Sequence, residues 1–161
     1  DGSVAVRLKC NDASFSVNRA ATVDVRRMPV IAWTWKVDAI PPAGDVREKR
    51  KNDQALQVLI AFQGSKVISY VWDSNAPVGH TVEEFHGFLG FRRQHVKVRV
   101  LESGASRLGQ WISVERNINE DFRELFRAEP SLVGGVRVQT NCQHTNAAGS
   151  GMLFGLQFSS L

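Results

Sequence analysis

The chain has 161 residues, 43% of them apolar and 22% charged, with a formal net charge of +4 and a pI near 9.4. That length fits one domain over residues 1–161, able to bury roughly two thirds of the surface its unfolded form exposes. The composition excludes a disordered or low-complexity chain. No run of about 18 apolar residues predicts a membrane span, and no charged-then-apolar leader predicts an export signal within the sequence as given.

The mild basic excess favours anionic partners. Arg47-Glu48-Lys49-Arg50-Lys51 is the one basic run, set between Pro41-Pro42-Ala43-Gly44 and Asn52-Asp53, and it reads as a solvated loop. It carries no interleaved aromatics, so nucleic-acid binding is not expected.

In chain order, Val4, Val6 and Leu8 alternate with Ala5, Arg7 and Lys9, which predicts a first strand over residues 3–10. Phe15 with Val17, and Val23 with Val25, predict two shorter strands joined through residues 18–21. Residues 30–38 follow, where Ile31, Trp33, Trp35 and Val37 alternate with Ala32, Thr34, Lys36 and Asp38, so one face forms a core wall and the other is wet. Residues 39–54 read as a long loop. Leu56, Val58, Ile60 and Phe62, the turn at residues 63–66 and Val67 through Trp72 predict a β-hairpin.

Residues 73–94 show little period and read as a long loop with one helical turn after Thr81, its aromatics Phe85, Phe88 and Phe91 packing onto the sheets. Val96, Val98 and Val100 against Lys97, Arg99 and Leu101 restore a strand, with the valines inward. Gly104 to Gly109 turns it into residues 111–115 as a second hairpin. A short helix is expected near residues 119–128. Asn119 suits the N-cap, Glu120 and Asp121 the first turn, and Phe122, Leu125 and Phe126 the buried stripe, with Pro130 as the stop. Residues 136–140 and 152–158 close the chain. Nine or ten strands without a βαβ rhythm predict an all-β, two-sheet antiparallel β-sandwich of jelly-roll type.

Cys10 and Cys142 lack metal or dithiol spacing. Both fall on inward positions, where a small buried thiol is the simple reading and one bridge between distant strands the alternative.

Trp33-x-Trp35-Lys36-Val37, Asn52-Asp53-x-Ala55, Tyr70-Val71-Trp72, Trp111 through Glu115-Arg116, Asp121-Phe122-Arg123, Leu125-Phe126, Glu129-Pro130 and Gly134-Gly135-Val136 resemble the bacterial domain-of-unknown-function family 3047, in the right order from about residue 29 onward. The resemblance implies an exported β-sandwich, periplasmic or extracellular in a bacterium, and assigns no catalytic residues. Where the family shows an acidic pair and an Asp-x-Asp run, this chain has Asn52-Asp53 and Asn141-Cys142-Gln143-His144-Thr145. Fewer carboxylates weaken a hard-cation site. No metal and no cofactor are expected.

Outward parity collects Thr34, Lys36, Asp38, Gln57, Ser69, Lys97, Arg99, Glu115, Arg137, Gln139 and Gln157. On one sheet these would hydrogen-bond a hydroxyl-rich or anionic chain. Sugar-binding surfaces also present flat rings to the apolar face of a pyranose. Tyr70 and Trp72, ending a strand beside the loop of His80 and His86, read as the rim platform, while Trp111 suits either rim or core. The candidate ligand-binding residues are therefore Lys36, Tyr70, Trp72, His80, His86, Arg99, Arg137 and Gln139.

A lyase of acidic glycans would draw on Tyr70, His80, His86, Lys36 and Arg99. A glycosidase would draw on two of Asp38, Asp53, Asp73 and Glu115, but none shows diagnostic spacing. No nucleophile elbow, zinc-protease, P-loop or Rossmann motif occurs. The leading expectation is a non-catalytic module binding polysaccharide. The alternatives are a polysaccharide-degrading enzyme on the same scaffold and a structural or protein-interaction domain. Oligomeric state is left open.

Overall fold

The tryptophan strand is β3 (Val30–Ala39), and its Ile31, Trp33, Trp35 and Val37 are between 0% and 2% exposed. The computed structural model describes residues 4–87 and 93–161. Besides β3, its elements are β1 (Val6–Asn11), β2 (Ser14–Val23), β4 (Gln54–Phe62), β5 (Lys66–Asp73), β6 (Thr81–His86), β7 (Gln94–Ser103), β8 (Ile112–Asn117), α1 (Ile118–Phe126), β9 (Val133–Asn141) and β10 (Ala148–Ser159). They form a four-stranded sheet ordered β1-β10-β3-β8 and a six-stranded sheet ordered β2-β9-β4-β5-β7-β6. The two pack as the expected jelly-roll sandwich. All neighbours are antiparallel except β5 and β7, which run parallel.

The core between the sheets is aromatic at its centre. Trp33 meets Trp35 edge-on at 5.6 Å and tilts against Tyr70 at 5.6 Å, while Trp35 packs on Trp72 at 5.9 Å. Offset and edge contacts of this kind are the favoured aromatic geometries. Gly151 on β10 lets the sheets approach, because a Cβ there would stand 2.6 Å from Leu56 Cδ1. Cys10 and Cys142 are joined in a disulfide, with Cα atoms 5.9 Å apart, so the bridge and not the buried thiol is realised. It ties β1 of one sheet to the end of β9 in the other.

Helix α1 closes the sandwich where the four-stranded sheet stops. Its N-cap is Asn117, two residues before the expected Asn119, with Oδ1 accepting from the Glu120 N–H at 3.2 Å. Phe122 packs at a tilt on Phe62 at 4.5 Å and on Phe126, its i+4 neighbour, at 4.8 Å.

Four local expectations are corrected. Residues 14–23 form one strand rather than two. Residues 81–86 form an edge strand rather than a helical turn: each of its faces mixes apolar and charged residues, so no period stood out. Phe88, Gly90 and Phe91 of that expected loop lie outside the described residues, as does Ser3 of the expected first strand. Strand β8 does not pair with β7 as a hairpin. It crosses over and pairs with β3.

The fourth correction is the facing of β7. Val96, Val98 and Val100 lie level with Val67, Ser69 and Val71 and point away from the main core, forming a second apolar cluster with Val46 and Ala76. Lys97, Arg99 and Leu101 therefore point to the side covered by α1.

Candidate functional site

The inner face of the six-stranded sheet holds a polar cluster buried at Tyr70, Arg99 and Asp121. Asp121, 3% exposed, accepts from Tyr70 Oη at 2.6 Å, from Arg99 Nη1 at 2.7 Å and from Arg116 Nε at 2.9 Å. Arg99 also donates to Glu124 at 2.6 Å. Buried charge survives here because every carboxylate lone pair faces a donor. Burial, and then the charge of Asp121, push the Tyr70 phenol well above its ordinary value, so it remains a donor and not a base. Trp72 is equally enclosed, its indole N–H given to the Gly104 carbonyl at 3.1 Å. Tyr70, Trp72 and Arg99 are thus corrected from rim and outward positions to the interior. Parity fixes alternation and not which side is covered: the tryptophans of β3 cover Tyr70 and Trp72, and α1 covers Tyr70 and Arg99.

The outer face of the same sheet is half roofed and half open. Residues 45–53 fold back over β5, β7 and β6. The Val46 N–H binds Asp73 at 2.9 Å, and Asn52 donates to Glu84 at 2.8 Å. Asn52 also gives its carbonyl to Asn141 at 2.9 Å, so one residue touches both β9 and β6, with three strands between them. At about 4.8 Å per strand this requires a sheet curled over that side. Under the roof an amide relay runs from Gln57 to Gln54 at 2.8 Å and from Gln54 to Asn52 at 2.8 Å.

At the roof's flank Asp53 is fully buried, accepting from the His144 and Thr145 N–H groups and the Thr145 hydroxyl. Burial alone would raise its carboxyl, but these donors outweigh it and hold the group below the ordinary range.

Beside the roof lies an open groove of about 240 Å³, with Leu59, Ala61, Val67 and Gly135 as its floor and Asn18, Arg137 and Gln94 around it. Cross-strand register explains the gathering. Asn18, Arg137, Leu59 and Ser69 fall in one row, with Ser16, Gln139, Gln57 and Val71 in the next. Arg137 is exposed and oriented by its Nε–H to Asn18 Oδ1 at 2.6 Å. His86 adjoins Gln94 in register and pairs with Glu84 at 2.7 Å; that bond holds its imidazole above the ordinary range despite partial desolvation. In the row below Arg137, Gly135 and Ala61 leave room beside the guanidinium.

The structure therefore brings Arg137 and Gln139 together, with His86 at the far margin. His80 sits at the opposite end of the sheet, its backbone paired with Val100. Lys36 lies on the other sheet altogether, beside Trp111. Sequence reading missed Asn18 and Gln94 as groove residues because the first was placed in a connection and the second in a loop. It left Trp111 open, although its parity with Ser113 and Glu115 points outward.

The outer-face carboxylates are committed. Asp73 is fully buried under backbone N–H groups of Val46, Asn75 and Ala76, and Glu84 is held by Asn52 and His86. Among the described residues no group of three or more His, Cys, Asp or Glu side chains is placed to hold a metal ion.

Solved structures share this fold. A family 12 xyloglucanase from Bacillus licheniformis superposes with a TM-score of 0.54 at 9% identity, over 88% of this chain and 66% of the enzyme. The family 11 xylanase from Neocallimastix patriciarum gives 0.50 at 10% identity, over 94% of this chain and 78% of that one. The chain thus spans just under two thirds of the xyloglucanase's length, and at such identities the likeness is one of fold. No curated protein matches the sequence. A family model described as protein of unknown function (DUF3047) matches residues 1–153, and the chain belongs to that family.

Proposed function

We propose that this protein binds a polysaccharide along the outer face of its six-stranded sheet without cleaving it, and that the ligand is anionic. The observation that carries the reading is the groove itself: a guanidinium and amides set around a small apolar floor, with no pair of uncommitted carboxylates facing across it among the described residues. Hydrolysis of a glycosidic bond by the usual route needs such a pair. Arg137 suits the carboxylate of a uronic residue because a guanidinium matches a carboxylate bidentately. The amides of Gln94, Asn18 and Gln139 suit hydroxyls.

The fold's likeness to a xyloglucanase and a xylanase supports a polysaccharide ligand, since those proteins are enzymes named for such polymers. The disulfide supports a periplasmic or extracellular location, because such bonds persist in oxidising compartments.

Affinity gel electrophoresis on polygalacturonate tests the reading. The wild type should be retarded, and Arg137→Ala should lose most of that retardation, with Gln139→Ala losing less. Unretarded wild type would sink the proposal. Release of reducing ends or unsaturated products from the polymer would replace binding alone with catalysis.

A further inference from the structure

The outer face of the four-stranded sheet carries a feature that the groove does not use. Trp111 is 46% exposed, whereas Trp33, Trp35 and Trp72 are at most 2% exposed. It stands just before β8, whose Ile112 pairs with Trp35, so Trp111 continues that ladder beside Lys36. Its ring does not hang into solvent. It reaches across β3 to meet Phe154 of β10 edge-on at 5.1 Å, and the Lys36 ammonium lies 5.3 Å from the indole centroid. Contacts from two other strands thus hold a large aromatic surface in one orientation over the middle of a sheet.

The polar groups around it are paired among themselves. Lys36 Nζ lies 3.3 Å from Asp38 Oδ1, and Arg7 Nη2 lies 3.4 Å from Asp38 Oδ2. Thr34 and Ser113 share a hydroxyl contact at 3.1 Å.

We infer that Trp111 and its surround form a second glycan-binding surface, for neutral pyranoside chains. A pyranose has an apolar C–H face and a hydroxyl rim. Lys36 lies over one side of the indole, the rest of the exposed ring offers the matching π-face, and Asp38 and Ser113 offer further polar groups nearby. Both cations here are already engaged by Asp38, whereas Arg137 meets only the Asn18 amide, which favours an uncharged ligand here over the uronate that Arg137 suits. A protein partner fits less well, because interface cores are depleted of charged residues and this ring is bordered by them. A pre-fixed ring also lowers the ordering cost of binding. The inference shares the carbohydrate theme of the groove but stands on other residues, another sheet and another class of polymer.

The test uses wild-type protein with xyloglucan and xylan as neutral probes. Three of the four tryptophans are buried, so acrylamide quenching of intrinsic fluorescence reports Trp111. Either polymer should protect that fluorescence and retard the protein on an affinity gel. Trp111→Ala should weaken retardation about tenfold, the scale of one lost aromatic contact, and Trp111→Phe should keep most of it. Arg123→Ala, a surface change on α1 far from both surfaces, controls for charge. Unretarded wild type on both neutral polymers, unprotected fluorescence, or equal retardation of Trp111→Ala would overturn the inference. Polygalacturonate retardation of the wild type reports the groove separately, so the two readings fail independently.

Discussion

The two faces of the six-stranded sheet carry similar side chains in opposite circumstances. On the inner face, Tyr70, Arg99 and Arg116 converge on Asp121 of α1, each donating to its carboxylate. On the outer face, Arg137 touches Asn18 and otherwise borders an open groove. The same guanidinium is thus scaffold at position 99 and ligand candidate at position 137. What distinguishes them is the cover supplied by distant segments: α1 in one case, and the edge of the roof formed by residues 45–53 in the other. Function follows from where that cover ends.

The largest effect should come from breaking the inner cluster. Asp121→Ala leaves two guanidiniums and a phenol without their shared acceptor, and breaking a buried ion pair costs about 3–5 kcal/mol. Urea unfolding should show that loss as a lower midpoint at unchanged slope. A loss under 1 kcal/mol would mean that the inner cluster is wetter than its burial indicates. Next, Gly151→Ala forces a methyl against Leu56 Cδ1 and the Lys36 carbonyl, and overpacking of this kind costs about 1–3 kcal/mol by the same measurement.

The roof offers an acid test. The folded-state pKa of Asp53 lies below its unfolded value of 3.8, so its contribution is complete above that value and is lost as pH falls through the folded one. Asp53→Asn should therefore lower stability at neutral pH and flatten the decline below about pH 4. Thermal midpoints across that range would show it, and parallel wild-type and variant curves would contradict it. The smallest effect belongs to the outer face. Arg137→Ala should leave stability within about 0.5 kcal/mol while removing most of the polygalacturonate retardation, since exposed substitutions away from packing or buried networks usually change stability little. A large stability loss there would erase the contrast between the two guanidiniums.

The legible parts of the fold were those where one face was apolar and the other polar. The alternation in β3 and the Leu56-to-Phe62 run of β4 placed the core wall and the first hairpin. The Phe122, Phe126 stripe placed the helix to within two residues. Strand β7 was misfaced because both its sides are buried, the valine side by Val46 and its loop and the Arg99 side by α1. Alternation alone could not rank them. The groove depends on cross-strand register among β2, β9, β4 and β5, which no single strand encodes. Arg137 and Gln139 were legible as outward residues of β9, whereas Asn18 needed the pairing of β2 with β9 to join them.

The sheet order carries a further consequence for how the chain comes to be folded. Strand β10 lies between β1 and β3, so the four-stranded sheet has no hydrogen-bonded route from its first strand to its third until residues 148–159 exist. Non-local pairing of this kind folds on the millisecond-to-second scale rather than in microseconds. Until then β1 and the tryptophan face of β3 wait without their shared neighbour, so the four-stranded sheet cannot close before β10 arrives.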